Sequence, residues 1–179
     1  MTVTVALLQG VNVGKYKRIS MADLKVLIAE LGGRDGVTVA NSGNIVFAHD
    51  QADEAKLCAE IEKAVSDHVG VAIPTITRTA AEMQQIVAAN PYPEVTDTKC
   101  LHVDFLAKEA PDVLDDIEFG EDHLTVIGRE IYMHLPNKLS GSTHDGKTIQ
   151  KRLGTHHTSR NWNTVTKLTQ IAADLESAS

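Results

Sequence analysis

Aromatic residues are scarce in this 179-residue chain, in which phenylalanine, tyrosine and tryptophan together make up 4%. Valine, isoleucine, leucine and alanine must therefore fill most of the core. Only two cysteines occur, Cys58 and Cys100, and they have no partner at metal or redox spacing, which predicts reduced, buried thiols. No apolar run is long enough to span a bilayer, and the start MTVTVALLQG lacks the features of a signal peptide. We therefore expect a cytoplasmic protein with no membrane segment.

Metal-binding patterns are also missing from the sequence. The eight histidines include no H-E-x-x-H motif, and His156 and His157 are adjacent rather than on one helical face. The acidic residues between 112 and 122 lack the spacing of a calcium loop. We expect neither a metal ion nor a cofactor.

The chain is acidic, with a formal net charge of −7, which argues against a protein that nucleic acid covers over its whole surface. Nine of its 17 lysines and arginines fall in two clusters. The first comprises Lys15, Lys17 and Arg18. The second lies between residues 137 and 168, where only Asp145 opposes six cations: Lys138, Lys147, Lys151, Arg152, Arg160 and Lys167. Such clusters indicate either a confined site for an anion or ordinary solvated helix faces.

Residues 1–78 predict the element order β-α-β-β-α-β. We expect strands at 2–8, 37–40, 45–48 and 71–77. Helices are expected at 21–31, capped by Ser20, and from a cap at Asp50 to about His68. The turn NSGN should join the middle strands as a hairpin, and Pro74 should confine the fourth strand to a sheet edge. This order is that of a ferredoxin-like, split βαβ subdomain.

Residues 79–98 should form a helix, opened by the capping box TAAE, and a linker that contains NPYP. A second, related α+β subdomain is expected over 99–179. It should contain strands at 101–106, 124–127, 131–135 and 156–159, short helices at 111–117 and 147–153, and a last helix over 161–175. The fold class is therefore α+β, and the second half resembles the first in element order without a residue-level repeat.

The stretch GSTHDGKT, residues 141–148, matches the phosphate-loop pattern G-x-x-x-x-G-K-[ST]. A true phosphate loop follows a buried parallel strand and has further βαβ units after it. Here the preceding strand is expected to be half of a hairpin, and only about 30 residues follow. We therefore interpret the match as a chance one that does not indicate nucleotide hydrolysis. The amides at the start of a helix would nevertheless suit an anion.

A neighbouring stretch, TSRNWNTVTKL, is the stronger indication of a site. Polar and cationic groups crowd the expected start of the last helix, together with one flat aromatic: Arg160, Asn161, Trp162, Asn163, Thr164 and Lys167. Such groups can bind a phosphate, a carboxylate or a base. The alternative is structural, in which Asn161 caps the helix, Trp162 lies in the core and Arg160 pairs with a carboxylate.

Three stretches, LLQGVNVGKYKRISMADLKVLIAELG, NSGNIVF and TSRNWNTVTKL, resemble the bacterial family called domain of unknown function 1697. The resemblance implies two α+β subdomains, the first ferredoxin-like, and no established activity. The motif positions it picks out are Gly10, Asn12, Val13, Gly14, Ser42, Gly43, Asn44, Arg160, Asn161, Trp162, Thr164 and Lys167. Gln9 and Lys15 depart from the pattern, since the family usually has Arg and Gly at those places.

We hypothesise that these motifs converge on a polar, positive cleft between the subdomains, which binds a phosphorylated or nucleotide-like small molecule. Lys15, Arg160 and Lys167 would neutralise the anion, and Trp162 would stack on the ligand or wall the pocket. The remaining polar contacts would come from Asn12, Ser42, Asn44, Asn161, Asn163 and Thr164.

Two other functions stay open. The first is an enzyme on such a substrate, with His156 or His157 as general base. The second is a nucleic-acid-binding module, for which the expected aromatics are missing, since the strands of the first half offer only Phe47.

Overall fold

The computed structural model describes residues 1–109, 120–141 and 151–178. The chain forms two compact units. Unit 1 comprises Met1–Gln85 and Thr166–Ser179, and unit 2 comprises Ile86–Val165. The described residues form two four-stranded antiparallel sheets with helices, so the predicted α+β class is confirmed. None of the helices in these ranges is both long and apolar enough to cross a bilayer.

Unit 1 is built on one sheet. Its strands are β1 (Thr2–Leu8), β2 (Arg34–Thr38), β3 (Asn44–His49) and β4 (Thr75–Thr79), and its helices are α1 (Met21–Glu30) and α2 (Glu54–Val69). The strand order is β2-β3-β1-β4, and every neighbouring pair is antiparallel. Because β1 and β2 both run against β3, they are parallel to each other and lie on either side of it. Helix α3 (Ala80–Ala88) follows β4 directly.

One face of this sheet forms the main core of unit 1 together with α1 and α2. The two helices contribute the residues that their 3.6-residue periodicity predicts: Leu24, Ile28, Leu57, Ile61 and Val65. These residues pack with Ala6, Leu8, Ile45 and Phe47 of the central strands. With so few aromatics, β-branched and leucine side chains supply most of this core, as expected.

Unit 2 repeats the same strand arrangement. A short 3-10 helix (Thr98–Cys100) leads into β5 (Leu101–Leu106), which is followed by β6 (His123–Ile127), β7 (Glu130–His134), the short helix α4 (Lys138–Gly141) and β8 (His157–Asn161). The order is β6-β7-β5-β8, again fully antiparallel. Its core contains Leu106, Ile131, Met133, Leu135 and Leu153. Helix α5 (Trp162–Ser177) follows β8 directly, and its residues from Thr166 belong to unit 1.

Most predicted elements are present with shifted ends. Strand β2 begins at Arg34 rather than Val37, through an irregularity in its pairing with β3. Strand β4 does lie at a sheet edge, but it begins at Thr75, directly after Pro74. The proline thus ends the preceding loop, where its missing N–H costs no ladder bond. The predicted helix at 111–117 lies outside the described residues, whereas residues 151–153 of the one at 147–153 are helical.

The predicted cap of the second helix is wrong by three residues. Asp53 precedes α2 with extended backbone, and its Oδ1 accepts a hydrogen bond from the Lys56 amide at 3.0 Å. Asp50 instead accepts a hydrogen bond from Arg34 at 2.9 Å, and this bond lowers the pKa of its carboxyl. Both aspartates satisfy the local capping pattern, so only the path of the chain after β3 distinguishes them.

Asp53→Ala is therefore expected to lower the free energy of unfolding by about 1 kcal/mol, because an amide of the first turn of α2 loses its acceptor. Urea denaturation followed by circular dichroism measures the difference. Asp50→Ala is the matched control and should have a much smaller effect, since its ion pair is exposed to solvent. A larger loss for Asp50→Ala than for Asp53→Ala would contradict the assigned cap.

Candidate functional site

Two of the sequence-predicted motifs lie side by side in unit 1. The first loop, residues 9–20, joins β1 to α1, and the NSGN turn, residues 41–44, joins β2 to β3. Asn12 Nδ2 donates to the Asn41 carbonyl at 2.7 Å. The Leu8 amide donates to the Gly43 carbonyl at 2.9 Å. Hydrogen bonds from the backbone and from a side chain thus connect the end of β1 and the start of the first loop to the NSGN turn.

A pocket of about 570 Å³ opens where the first loop meets the turn and the start of α1. Its lining combines carboxamides, a guanidinium, a hydroxyl and a carboxylate with two apolar side chains: Asn12, Arg18, Ile19, Ser20, Met21, Asp23 and Asn41. A cavity of this size holds a ligand as large as a nucleotide or a sugar phosphate. Of the residues predicted to bind a ligand, only Asn12 lines it.

The side chain of Asn12 holds the first loop in place through hydrogen bonds. Its Nδ2 donates to the Ile19 carbonyl at 2.8 Å as well as to Asn41, and its Oδ1 accepts from the Ile19 amide at 3.1 Å. Its backbone φ is +57°, in the left-handed region that asparagine tolerates better than most residues. A carboxamide has two N–H donors, and both are used here by carbonyl groups of the protein. The geometry therefore favours a structural role for this side chain.

Ser42, Gly43 and Asn44 also serve the turn itself. Asn44 is fully buried, and its Nδ2 donates to the Val39 carbonyl at 2.8 Å and to Ser42 Oγ at 2.9 Å. Gly43 has a φ of +73° and lies so close to β1 that a Cβ atom would stand 2.7 Å from that of Leu8. The motif is thus a tight turn packed on the end of the first strand.

The accessible chemistry of this region comes from the tip of the first loop. Lys15, Lys17 and Arg18 are exposed, and the described ion pairs involve none of them. Arg18 lines the pocket and donates to the Gly14 carbonyl at 3.2 Å. Tyr16 is 83% exposed between the two lysines. Our sequence-predicted site contained Lys15 but omitted Arg18 and Tyr16, although the basic cluster around them was the available signal.

One carboxylate faces the same pocket. Asp23 accepts a hydrogen bond from Ser20 Oγ at 2.6 Å, and its amide donates back to that oxygen at 3.0 Å. The imidazole of His68 also lies near this carboxylate, with Nε2 at 3.8 Å from Asp23 Oδ2. These contacts hold the carboxylate at the capped start of α1. The net charge of the lining is therefore set by Arg18 against Asp23, with the two lysines nearby in the loop.

The start of α5 contains the second predicted set. Asn161, the last residue of β8, caps the helix by accepting from the Thr164 amide at 2.9 Å. Arg160 is buried, and its Nη1 donates to Thr158 Oγ1 at 2.7 Å and to the Ser159 carbonyl at 2.8 Å. Burial lowers the pKa of Arg160 to about 10, against the opposing effect of Asp104. Trp162 and Thr164 are half-buried, whereas Asn163 and Lys167 are exposed.

The same arrangement recurs at the junction of β4 and α3. Arg78 is buried at the penultimate position of its strand, and its Nη1 donates to the Thr77 carbonyl at 2.8 Å. The next residue, Thr79, caps the helix by accepting from the Glu82 amide at 3.2 Å. Arg78 lies in none of the predicted motifs. The repetition favours a structural role for Arg160 at a strand-to-helix corner, and its part in ligand binding stays a prediction.

A carboxylate–imidazole pair lies on the neighbouring strands of unit 2. Asp104, in the otherwise largely apolar strand LHVDFL, is fully buried, and its Oδ2 is 3.0 Å from His157 Nδ1. The His157 side chain is 12% exposed, while His156 is exposed. Ser159 stands opposite Asp104 in the β5–β8 register, but its buried hydroxyl makes no hydrogen bond to His157 or any other described residue. The described atoms therefore assemble no serine–histidine–aspartate relay.

The phosphate-loop match lies almost wholly outside the described residues, which include only its first position, Gly141. Gly141 ends helix α4, so a short helix rather than a β-strand directly precedes the rest of the match. Within residues 1–109, 120–141 and 151–178, no three histidine, cysteine or acidic side chains are grouped as metal ligands.

A solved structure shares this fold. The conserved bacterial protein SP0830 from Streptococcus pneumoniae superimposes with a TM-score of 0.72, over 96% of this chain and 98% of its own. The two sequences are 21% identical, so the likeness concerns the fold. No curated protein matches the chain.

The family comparison covers residues 1–132 of the 179, which match a family described as protein of unknown function, DUF1697. The stretches LLQGVNVGKYKRISMADLKVLIAELG and NSGNIVF fall within the match, whereas TSRNWNTVTKL lies beyond it. The resemblance expected from the sequence is thereby confirmed at the level of the family. The chain belongs to the DUF1697 family.

Proposed function

We propose that the protein binds an anionic small molecule, phosphorylated or nucleotide-like, in the pocket beside the first loop. The observation that carries the proposal is the position of Arg18, which lines a pocket of about 570 Å³ at the end of a loop that also exposes Lys15 and Lys17. In a chain of net charge −7, three cations within four residues give this loop a local positive field.

The described ion pairs involve none of these three cations, and this supports the proposal. Exposed lysines and arginines on an acidic protein ordinarily have carboxylates available to them, yet no described carboxylate pairs with this cluster. The guanidinium of Arg18 uses one N–H for the Gly14 carbonyl and has others available for a phosphate or carboxylate. Asp23 offsets the charge of Arg18 within the lining, so the two lysines give the region a net positive charge that an anion in the pocket would neutralise.

Under this proposal, some of the predicted residues form a frame that holds the first loop in place, and others contact the ligand. Asn12, Ser42 and Asn44 hold the first loop against the turn, and Lys15 remains a ligand contact. Asn163 and Lys167 are exposed on the first turns of α5, and their part in ligand binding stays a prediction. Arg160, Asn161, Trp162 and Thr164 are assigned to the corner between β8 and that helix.

Single alanine substitutions of Lys15 and Arg18 should weaken binding of pyrophosphate, glucose 6-phosphate or ADP by about tenfold each, since each removes a charge-assisted contact of roughly 1.4 kcal/mol. Isothermal titration calorimetry at fixed ionic strength measures the change. Lys63→Ala, which removes a cation from the exposed face of α2, is the charge-matched control and should leave affinity unchanged. Lys167→Ala tests whether the start of α5 contributes to the same ligand.

Equal losses in Lys63→Ala and Arg18→Ala would mean that net charge rather than this pocket governs binding. Failure of all three probes to bind the native protein would remove the proposal altogether. Loss with Lys167→Ala alone would move the anion site to α5.

We also infer that unit 1 is ferredoxin-like. The support is its topology, in which α1 connects two parallel strands that are separated by β3, the arrangement of a split βαβ unit. Unit 2 has the same strand order over its described residues.

A second candidate function, an enzyme, is favoured by the Asp104–His157 pair. A carboxylate that accepts from Nδ1 fixes the tautomer and the orientation of the imidazole, as the aspartate does beside the general base of a catalytic triad. The structure thus favours His157 over His156 for the role that the sequence left open between them. Mass spectrometry of the phosphorylated probes after incubation tests it. Product formed by the native protein and by His156→Ala, but not by His157→Ala, would support an enzyme.

A further inference from the structure

We propose that the ligand of this pocket is a mononucleotide whose base stacks on Tyr16. The inference rests on the proposed function, because it names the chemical class of ligand for the same site. Its distinguishing feature is an aromatic ring on the ligand, which an anion site alone does not require.

The exposure of Tyr16 is the first observation. Its ring is 83% exposed, and Val13, on the same loop, is 75% exposed. Scattered apolar residues on a surface need no explanation, but these two lie within four residues of each other among three cations. An aromatic face beside positive charge can stack a nucleic-acid base and hold its phosphate.

The loop holds this ring on a defined backbone. The Asn12 amide donates to the Lys17 carbonyl at 2.9 Å, which closes the segment from 12 to 17. Arg18 then bonds back to Gly14, and the Asn12 side chain fixes the loop to Ile19 and Asn41. Since the backbone that carries Tyr16 is already ordered by these bonds, a ligand stacking there would pay less to order the loop.

The distance between Tyr16 and Arg18 along the loop allows one small molecule to reach both side chains. Tyr16 and Arg18 are two residues apart, so their Cα atoms are at most about 7.6 Å from each other. Arg18 lines the pocket, and a nucleotide separates its base from its phosphate by a sugar. A single mononucleotide can therefore place its phosphate at Arg18 and its base on Tyr16. The single ring and the net charge of −7 favour a mononucleotide over a longer nucleic acid, which needs successive stacking rings and an extended basic groove.

The experiment compares AMP and ADP with ribose 5-phosphate and pyrophosphate by isothermal titration calorimetry on the full chain. We expect the nucleotides to bind at least about tenfold more tightly than the two probes without a base. Tyr16→Ala should remove this advantage, whereas Tyr16→Phe should keep it because the ring is retained. Val26→Ala, on the exposed side of α1 and outside the pocket lining, is the control and should behave as the native protein.

The outcomes separate this inference from the proposed function. Equal affinity for all four probes, unaltered by Tyr16→Ala, overturns the inference and leaves anion binding in place. No binding of any probe removes both. Affinity that rises with the length of oligoadenylate and falls steeply with salt would replace the mononucleotide with single-stranded nucleic acid.

Discussion

Gly43→Ala is expected to lower the free energy of unfolding by about 3 kcal/mol, from two separate costs. A non-glycine residue at a φ of +73° costs about 1 kcal/mol. The new methyl group would also stand 2.6 Å from Val11 Cγ2 and 2.7 Å from Leu8 Cβ, well inside van der Waals contact. Leu8 cannot retreat, because its Cβ is fixed to a central strand, so the turn must move and strain its hydrogen bond to the Leu8 amide.

Gly14→Ala is the matched control for this substitution. Gly14 has a φ of +69°, but a Cβ there would meet no atom within 4 Å. It should therefore lose only about 1 kcal/mol, the conformational part of the cost. Urea denaturation of both variants measures the two values. If the two alanines cost the same, the close approach of the turn to β1 does not limit this position.

The second large effect is expected for Asn12→Ala, which should cost about 3 kcal/mol. The substitution removes three hydrogen bonds to the backbone, at Ile19 and Asn41, each worth about 1 kcal/mol or less. It also puts alanine at a φ of +57°. Amide hydrogen exchange gives a local readout alongside urea denaturation, since the Ile19 amide should lose its protection.

Two further variants separate the hydrogen-bond and backbone contributions to this loss of stability. Asn12→Gly keeps the positive φ without strain and should recover about 1 kcal/mol of the loss. Asn12→Asp keeps an acceptor for the Ile19 amide but turns a carboxylate toward two carbonyl groups, so it should be at least as unstable as the alanine variant. Native stability with weakened ligand binding in Asn12→Ala would instead make Asn12 a ligand contact, as the sequence suggested.

Both predictions concern the frame of the proposed site. In this interpretation, the conspicuous polar motifs of the first half hold a loop in place, and the less conspicuous Lys15, Tyr16 and Arg18 meet the ligand. Substitutions in the frame should change stability first and binding as a consequence. Substitutions at the loop tip should change binding alone, because these side chains are exposed and take little part in packing.

The sequence by itself determined the elements of the fold. Period-two and period-3.6 patterns located the strands, both core helices of unit 1 and the hairpins, because burying one face of an element requires apolar residues at that spacing. The α+β class and the edge position of β4 follow from element order and from Pro74. Element ends were less accurate, as the exchange of Asp50 for Asp53 at a helix cap shows, since both satisfy the same local rule.

The tertiary structure decided what the polar residues do. Asn12 meets Asn41 across 29 residues, and Asp104 meets His157 across 53. Arg160 and Arg78 each lie at a strand-to-helix corner, and no motif indicated Arg78. A carboxamide or guanidinium has the same donors whether it braces a loop or binds a phosphate. Which of these it does depends on the groups that folding brings to its donors, and those groups come from distant parts of the chain.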